Sequence, residues 1–259
     1  MSFTADWLAL RADADREARN PDLAAELAVA MDEHEEIRVL DLGAGTGATL
    51  HAISPILPAQ QTWVLADNDA SLLAQAAEAA PSGLTVETRQ ADLSRDIAAI
   101  FNPVPDLVTA SAFFDLCGVE IASEIVRHTI AAGAVFYAAL SYDGRQDWRP
   151  AHTLDDAMRA AFNADQRRDK GLGAALGPDA TEHLAKAFGA AGYRVAMAPS
   201  NWELTQSSHS SLIAELARGT SDALVAALGT DSAVEWHLAR GDAQEVTIGH
   251  LDILAMPAD

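Results

Sequence analysis

A chain of 259 residues, 49% of them hydrophobic, is long enough to bury one large core, yet no apolar run approaches the ~20 residues that a membrane helix needs. Its 38 acidic and 17 basic residues give a formal net charge of −21, which repels nucleic acid and anionic membrane surfaces. The single cysteine, Cys117, excludes an intrachain disulfide and a cysteine metal cluster, and Met1 to Asp6 lack the basic and apolar regions of a signal peptide; a reducing, cytoplasmic location is expected.

Residues 5 to 33 read as one or two alanine-rich helices broken at Asn20-Pro21, where proline suits the first turn of a new helix. Short apolar runs then predict strands at Ile37 to Leu42, Thr62 to Ala66, Leu84 to Gln90, Asp106 to Ala110 and Ala134 to Ser141, with helix-like stretches between them. That alternation predicts right-handed βαβ units and a parallel sheet covered on both faces. Beyond Ser141 it stops: residues 143 to 177 form a polar stretch with a helix over Leu154 to Gln166 and a glycine-rich turn at Lys170 to Gly173. A helix over Asp179 to Ala191, a strand over Tyr193 to Ala198, a mostly helical 207 to 242 and a last strand over Thr247 to Met256 complete the order. With no repeat and no long linker, 1 to 259 reads as one domain: a helical cap (1–36), a ligand-binding core (37–141) and a substrate-side part (142–259).

The stretch Val39 to Gly47 carries the strongest signal. An apolar strand runs into glycines at 43, 45 and 47, with Asp41 two residues before the first. Such a loop lets backbone approach a ligand closely, and the next helix offers its N-terminal N–H groups. Two nucleotide-like ligands compete, because Gly43, Gly45 and Ala48 also satisfy the relaxed dinucleotide pattern, and Asp67 at the end of the second strand suits the ribose of either. Three features separate them: Asp41 suits an ammonium better than a pyrophosphate, Asp92 at the end of the third strand is placed to accept from an adenine amine, and the chain closes on a strand that follows helices rather than on a substrate domain.

Together these motifs resemble the class I S-adenosylmethionine-dependent methyltransferases, closely over residues 37 to 141 and loosely elsewhere, as a little-described bacterial group. The resemblance implies a Rossmann-like, seven-stranded, mostly parallel sheet with helices on both faces, the N-terminal helical cap, and helical insertions after the fifth and sixth strands. It implies that Gly43, Ala44, Gly45 and Gly47 surround the methionine part of the cofactor, that Asp41 holds its ammonium, that Asp67 with Asn68 binds the ribose, and that Asp92 and the Leu93 N–H meet the adenine. Ser111 falls in the segment Asp106 to Leu116, which matches the part of the family beside the transferable methyl group; that segment departs from the Asn/Asp-Pro-Pro-Tyr/Phe box of amino-methylating DNA and glutamine enzymes.

Arg11 and Arg19, eight apart on one helical face, are candidates to reach over the cofactor's carboxylate. Candidate substrate residues are Phe113, Tyr142, Asn163, Arg167 and Lys170, with Phe114 and Trp148 as further pocket aromatics and His152 as a weak candidate base. No residue spacing suggests a metal. The expected function is methyl transfer to a small molecule by a monomer or homodimer, without a nucleic-acid or membrane partner. An NAD(P)-dependent oxidoreductase and a non-catalytic cofactor-binding protein of the same fold are the alternatives. Residues 143 to 177 are expected to form a mobile lid over the site, with a fixed helical hairpin as the other reading.

Overall fold

The computed structural model describes residues 4–258. Thr4 caps α1 (Ala5–Ala18) by accepting the Trp7 N–H at 3.2 Å, and Asn20 caps α2 (Pro21–Met31) by accepting the N–H groups of Asp22 and Leu23, with Pro21 in the first turn. The alternating core follows as β1 (Glu36–Leu42), α3 (Ala48–Ile53), β2 (Gln60–Asp67), α4 (Ala70–Glu78), β3 (Thr85–Gln90), α5 (Ile97–Ile100), β4 (Leu107–Ser111) and α6 (Val119–Ala132). The remainder is β5 (Val135–Arg149), α7 (Asp155–Gln166), α8 (Ala180–Ala190), β6 (Arg194–Pro199), β7 (Trp202–Thr205), α9 (Gln206–Leu228), α10 (Thr230–Arg240) and β8 (Glu245–Met256).

The sheet runs β3-β2-β1-β4-β5-β8-β6, parallel from β3 to β5 and antiparallel where β8 pairs with β5 and β6. Eight strands fill seven positions, because β7 continues the line of β6 along β8: β6 pairs with residues 251 to 256 and β7 with residues 245 to 248. The expected seven-stranded, mostly parallel sheet is therefore present, with its sixth strand broken at Ser200-Asn201.

Alternate strand residues serve two cores. Leu40, Leu42, Val64, Val108 and Phe136 pack on one face with α6 and α8, while Ile37, Val39, Trp63, Leu65 and Tyr137 pack on the other with α2, α3 and α4. Among the described residues no helix is long and apolar enough to cross a membrane.

The fifth strand differs from the sequence expectation. It continues to Arg149, so residues 142 to 149 belong to the sheet and the insertion starts after it. Hydrophilic residues disguise this strand because it leaves the central core and pairs with the equally extended start of β8. Its course changes at a register shift between Ala138 and Ser141, where Leu140 takes φ 58° and donates its N–H to buried Asp252 at 2.8 Å. The same carboxylate accepts from the Tyr137 hydroxyl (3.1 Å) and the Asn20 N–H (2.9 Å), tying the bulge to the junction of α1 and α2. Beyond the bulge, β5, β7 and β8 build a third core with α1, α7, α9 and α10 around Tyr142, Trp148, Trp202 and Trp236.

Candidate functional site

Two neighbouring cavities lie at the carboxyl edge of the sheet. The larger, about 370 Å³, is walled by the first residues after each of four strands: Gly43 to Gly45 after β1, Asp67 and Asn68 after β2, Ala91 to Leu93 after β3, and Ser111 to Phe113 at β4. This is where the strand order reverses between β1 and β4, the switch point at which open α/β sheets take ligands. Leu8, Arg11 and Asp15 of α1 cover it, so the N-terminal helix is the cap.

The loop after β1 is held by its own hydrogen bonds. Ala44 N–H donates to Ala66 O at 3.1 Å, Gly47 N–H to Ala44 O at 2.9 Å, and Gly45 N–H to Asp67 Oδ2 at 2.8 Å. The other Asp67 oxygen accepts the Asp69 N–H at 2.9 Å. Gly43 has φ 61°, and a Cβ there would lie 2.6 Å from Cδ2 of Phe113, so glycine is required by both backbone and packing. Asp92 accepts from the backbone N–H and hydroxyl of Ser94, and these bonds hold its carboxyl below the usual carboxylate range.

Asp41 does not line the cavity. It is fully buried beneath the loop, where Oδ1 accepts the Thr109 hydroxyl at 2.8 Å and Oδ2 has no hydrogen-bond partner among the described residues. Burial pushes its pKa up to about 7, against the pull of the Thr109 hydrogen bond and the Arg19 charge. Arg19 donates Nη2 to the Ser111 hydroxyl at 3.1 Å, and its buried Nη1 is likewise without a partner. One orphaned acceptor and one orphaned cationic donor thus sit behind the wall that carries Ser111.

The other residues singled out from sequence divide clearly. Arg11, Ala44, Asn68, Leu93 and Ser111 line the larger cavity together with Gly43, Gly45, Asp67 and Asp92. Phe113 and Lys170, expected at the substrate, line it too, Lys170 paired with Asp165 at 2.6 Å. Gly47 turns away from it: its missing Cβ faces Ala76 of α4 at 3.4 Å, so it serves helix packing. Tyr142 and Trp148 line the smaller cavity, whereas Phe114 is core, edge-on to Phe136.

Asn163 walls neither cavity but fixes one of them, accepting the Tyr142 hydroxyl at 2.8 Å while donating to Gly144 O at 2.9 Å. Arg167 points to Asp179 at 2.9 Å and Arg168 to Asp165 at 3.2 Å; neither lines a cavity, because helix-face acids neutralise them. His152 is also displaced, its Nδ1 accepting the Leu154 N–H and its Nε2 lying 3.7 Å from Glu235. Residues 170 to 172 do cover the larger cavity, and the segment is pinned to the turn before α6: Gly118 N–H donates to Leu172 O and Leu176 N–H to Cys117 O, both at 2.8 Å.

The smaller cavity, about 150 Å³, shares Arg11, Ala112 and Leu116 with the larger one. Ala112, at the shared wall, has φ 48°, a conformation costly for a residue with a Cβ and characteristic of functional sites. Asp115, His250, Gln146, Trp7 and Trp202 line this cavity and were not singled out from sequence. One signal was present: Gly249-His250-Leu251-Asp252 places two polar residues inside an apolar strand.

No family model and no curated protein sequence matches the chain. Solved structures do. A cyclopropane-fatty-acyl-phospholipid synthase-like protein from Lactobacillus casei aligns with 95% of this chain and 99% of its own at 15% identity and a TM-score of 0.57. The YcgJ protein of Bacillus subtilis aligns over 92% and 100% at 15% identity (TM-score 0.51), and a Bacillus halodurans protein provisionally described as a methyltransferase over 91% and 99% at 15% identity (TM-score 0.50). The chain is thus an α/β protein with the Rossmann-like fold of the class I methyltransferases.

Proposed function

We propose that this protein is an S-adenosylmethionine-dependent methyltransferase acting on a small molecule. One observation carries the choice of cofactor class. The N–H groups of Ala44, Gly45 and Gly47 are already donated within the protein, and the Gly45 partner is a carboxylate at 2.8 Å. A pyrophosphate would need those donors and would be repelled by Asp67, whereas a sulfonium cofactor places no phosphate there. The residues fit the amino-acid cofactor at both ends. Asp67 and Asp92 line the cavity and offer carboxylate oxygens to ribose hydroxyls and an adenine amine, while Asp41 and Arg19, buried behind its wall, act on a bound ammonium and carboxylate through their charges.

Bound there, the cofactor supplies an electrophilic methyl group on a sulfonium. The chain's own part is positioning: α1 and residues 170 to 172 exclude water, and the Ala112 wall sets the distance between the two cavities. The net charge of −21 supports a small-molecule acceptor over nucleic acid, and the same reading takes the chain as a single cytoplasmic domain, monomeric or homodimeric. Calorimetry with S-adenosylhomocysteine, NADH and NADPH tests it. Binding of S-adenosylhomocysteine alone is expected; tight binding of a nicotinamide dinucleotide alone overturns it.

A further inference from the structure

The smaller cavity has the size and lining of an acceptor site. A volume of about 150 Å³ matches a hole that holds one benzene-sized ring. Trp7, Tyr142, Trp148, Phe162 and Trp202 supply its aromatic walls. Several of these rings are held in place: Tyr142 donates to Asn163 and accepts from Gln146 Nε2 at 3.2 Å, and the Trp202 indole N–H donates to Asp15 at 3.0 Å. The walls therefore form a fixed slot for a planar group.

Three side chains of this cavity carry buried polar atoms without hydrogen-bond partners among the described residues, Trp7 at its indole Nε1 and the two nine-tenths-buried residues Asp115 and His250. Asp115 is 8% exposed and its Oδ1 is unpaired; His250 is 6% exposed and its Nδ1 is unpaired. A buried unpaired polar atom costs about 1–3 kcal/mol, and a ligand group that pairs with it recovers that cost. Burial and the neighbouring Arg11 charge push the His250 pKa down to about 3, so the imidazole is neutral; burial raises that of Asp115 to about 6, so it is mostly a carboxylate at neutral pH. The Arg11 charge offsets the Asp115 carboxylate only in part, and burial outweighs it. Asp15 already binds Arg11 at 2.8 and 3.0 Å, and the Arg11 guanidinium lies 4.9 Å from the centre of the Trp202 ring.

We infer that the smaller cavity binds a single-ring aromatic molecule without negative charge, whose hydroxyl or amino group donates a hydrogen bond to Asp115 while His250 meets a second polar group of the ring. Its identification as the methyl acceptor rests on the larger cavity being the cofactor site; its binding chemistry does not. Anionic rings are excluded by the carboxylate.

The test is saturation-transfer NMR with tryptophan fluorescence on the full chain, with phenol, aniline and benzoate as probes, and with calorimetry of S-adenosylhomocysteine on the same samples. Phenol or aniline is expected to bind at least tenfold more tightly than benzoate, the stronger of the two identifying a hydroxyl or an amine acceptor. Asp115→Ala weakens that probe at least fivefold, and Asp115→Asn narrows the gap to benzoate by removing the charge. Arg167→Ala, a surface control, leaves all three probes unchanged. Equal binding of benzoate, no binding of any probe up to its solubility, or an unchanged phenol affinity in folded Asp115→Ala overturns the inference. Intact S-adenosylhomocysteine binding alongside such a failure leaves the cofactor reading standing, and ring binding without S-adenosylhomocysteine binding sinks the cofactor reading alone.

Discussion

The two cavities share a wall yet are built on opposite principles. The larger is made of backbone at the ends of four neighbouring strands, and the N–H groups of Ala44, Gly45 and Gly47 in its glycine loop are satisfied within the protein before any ligand arrives. The smaller is made of side chains from segments spread along the chain, and three of its buried polar atoms, Trp7 Nε1, Asp115 Oδ1 and His250 Nδ1, wait for a partner. A satisfied backbone cradle is rigid and suits one invariant ligand. An unsatisfied aromatic slot gains its energy only from a molecule that completes it, which is how a site discriminates among acceptors.

Breaking the backbone cradle has the largest expected effect. Gly43→Val forces a branched side chain into φ 61° and against the Phe113 ring, and S-adenosylhomocysteine affinity is expected to fall by about 3 kcal/mol, roughly 100-fold. Calorimetry reads this, with circular dichroism confirming the fold. Asp67→Ala comes next, at about 1–3 kcal/mol, since the ribose loses a charged acceptor and the loop loses its Gly45 anchor. Phenol binding in the smaller cavity is expected to remain; its loss in a folded Asp67→Ala protein erases the distinction between the cavities.

Two predictions sharpen the electrostatic side of the contrast. With a pKa of about 7, Asp41 is partly protonated at neutral pH, and the charge of an ammonium bound on the loop above it draws the proton off. S-adenosylhomocysteine binding near pH 7 is therefore expected to release up to about half a proton, read from calorimetry in buffers of different ionisation enthalpy. Zero release detaches Asp41 from the ligand.

For Asp115 the folded pKa, about 6, lies above the ordinary aspartate value of 3.8, so the folded state holds its proton more tightly. Protonation at this residue stabilises the wild-type protein as pH falls from about 6 toward 4, and the buried charge burdens it above that range. Asp115→Asn removes the burden. Its melting temperature is expected to exceed that of the wild type at about pH 7.5, by no more than about 3 kcal/mol in stability, with the advantage vanishing near pH 4. A pH-independent difference refutes the assignment of a buried charge. The smallest effect is expected for Arg167→Ala, an exposed pair with Asp179 worth less than about 1 kcal/mol, with both ligand affinities unchanged.

The larger cavity was legible in the sequence because each of its pieces is a short contiguous motif. A parallel sheet collects the carboxyl ends of its strands at one edge, so reading Gly43 to Gly45, Asp67, Asp92 and Ser111 as strand ends was enough to bring them together. Where a residue's direction mattered, local pattern failed: Gly47 faces α4 and Asp41 lies under the loop, both decided by packing.

The smaller cavity was not legible for the same reason at larger scale. Its walls depend on a bulge at Leu140 held by Asp252, on polar residues 142 to 149 continuing as strand against β8, and on Trp7 and Trp202 arriving from distant segments. Phe113, Tyr142 and His152 were all candidates in the sequence, yet the fold sent one to the larger cavity, one to the smaller and one to the turn before α7, near Glu235. Sequence by itself determined the succession of strands and helices and the sheet edge that carries the glycine loop, because periodicity and glycine loops are local. Only the tertiary structure decided the ring slot and its unpaired Asp115 and His250, because burial of those polar groups is a property of what packs around them and not of their neighbours in the chain.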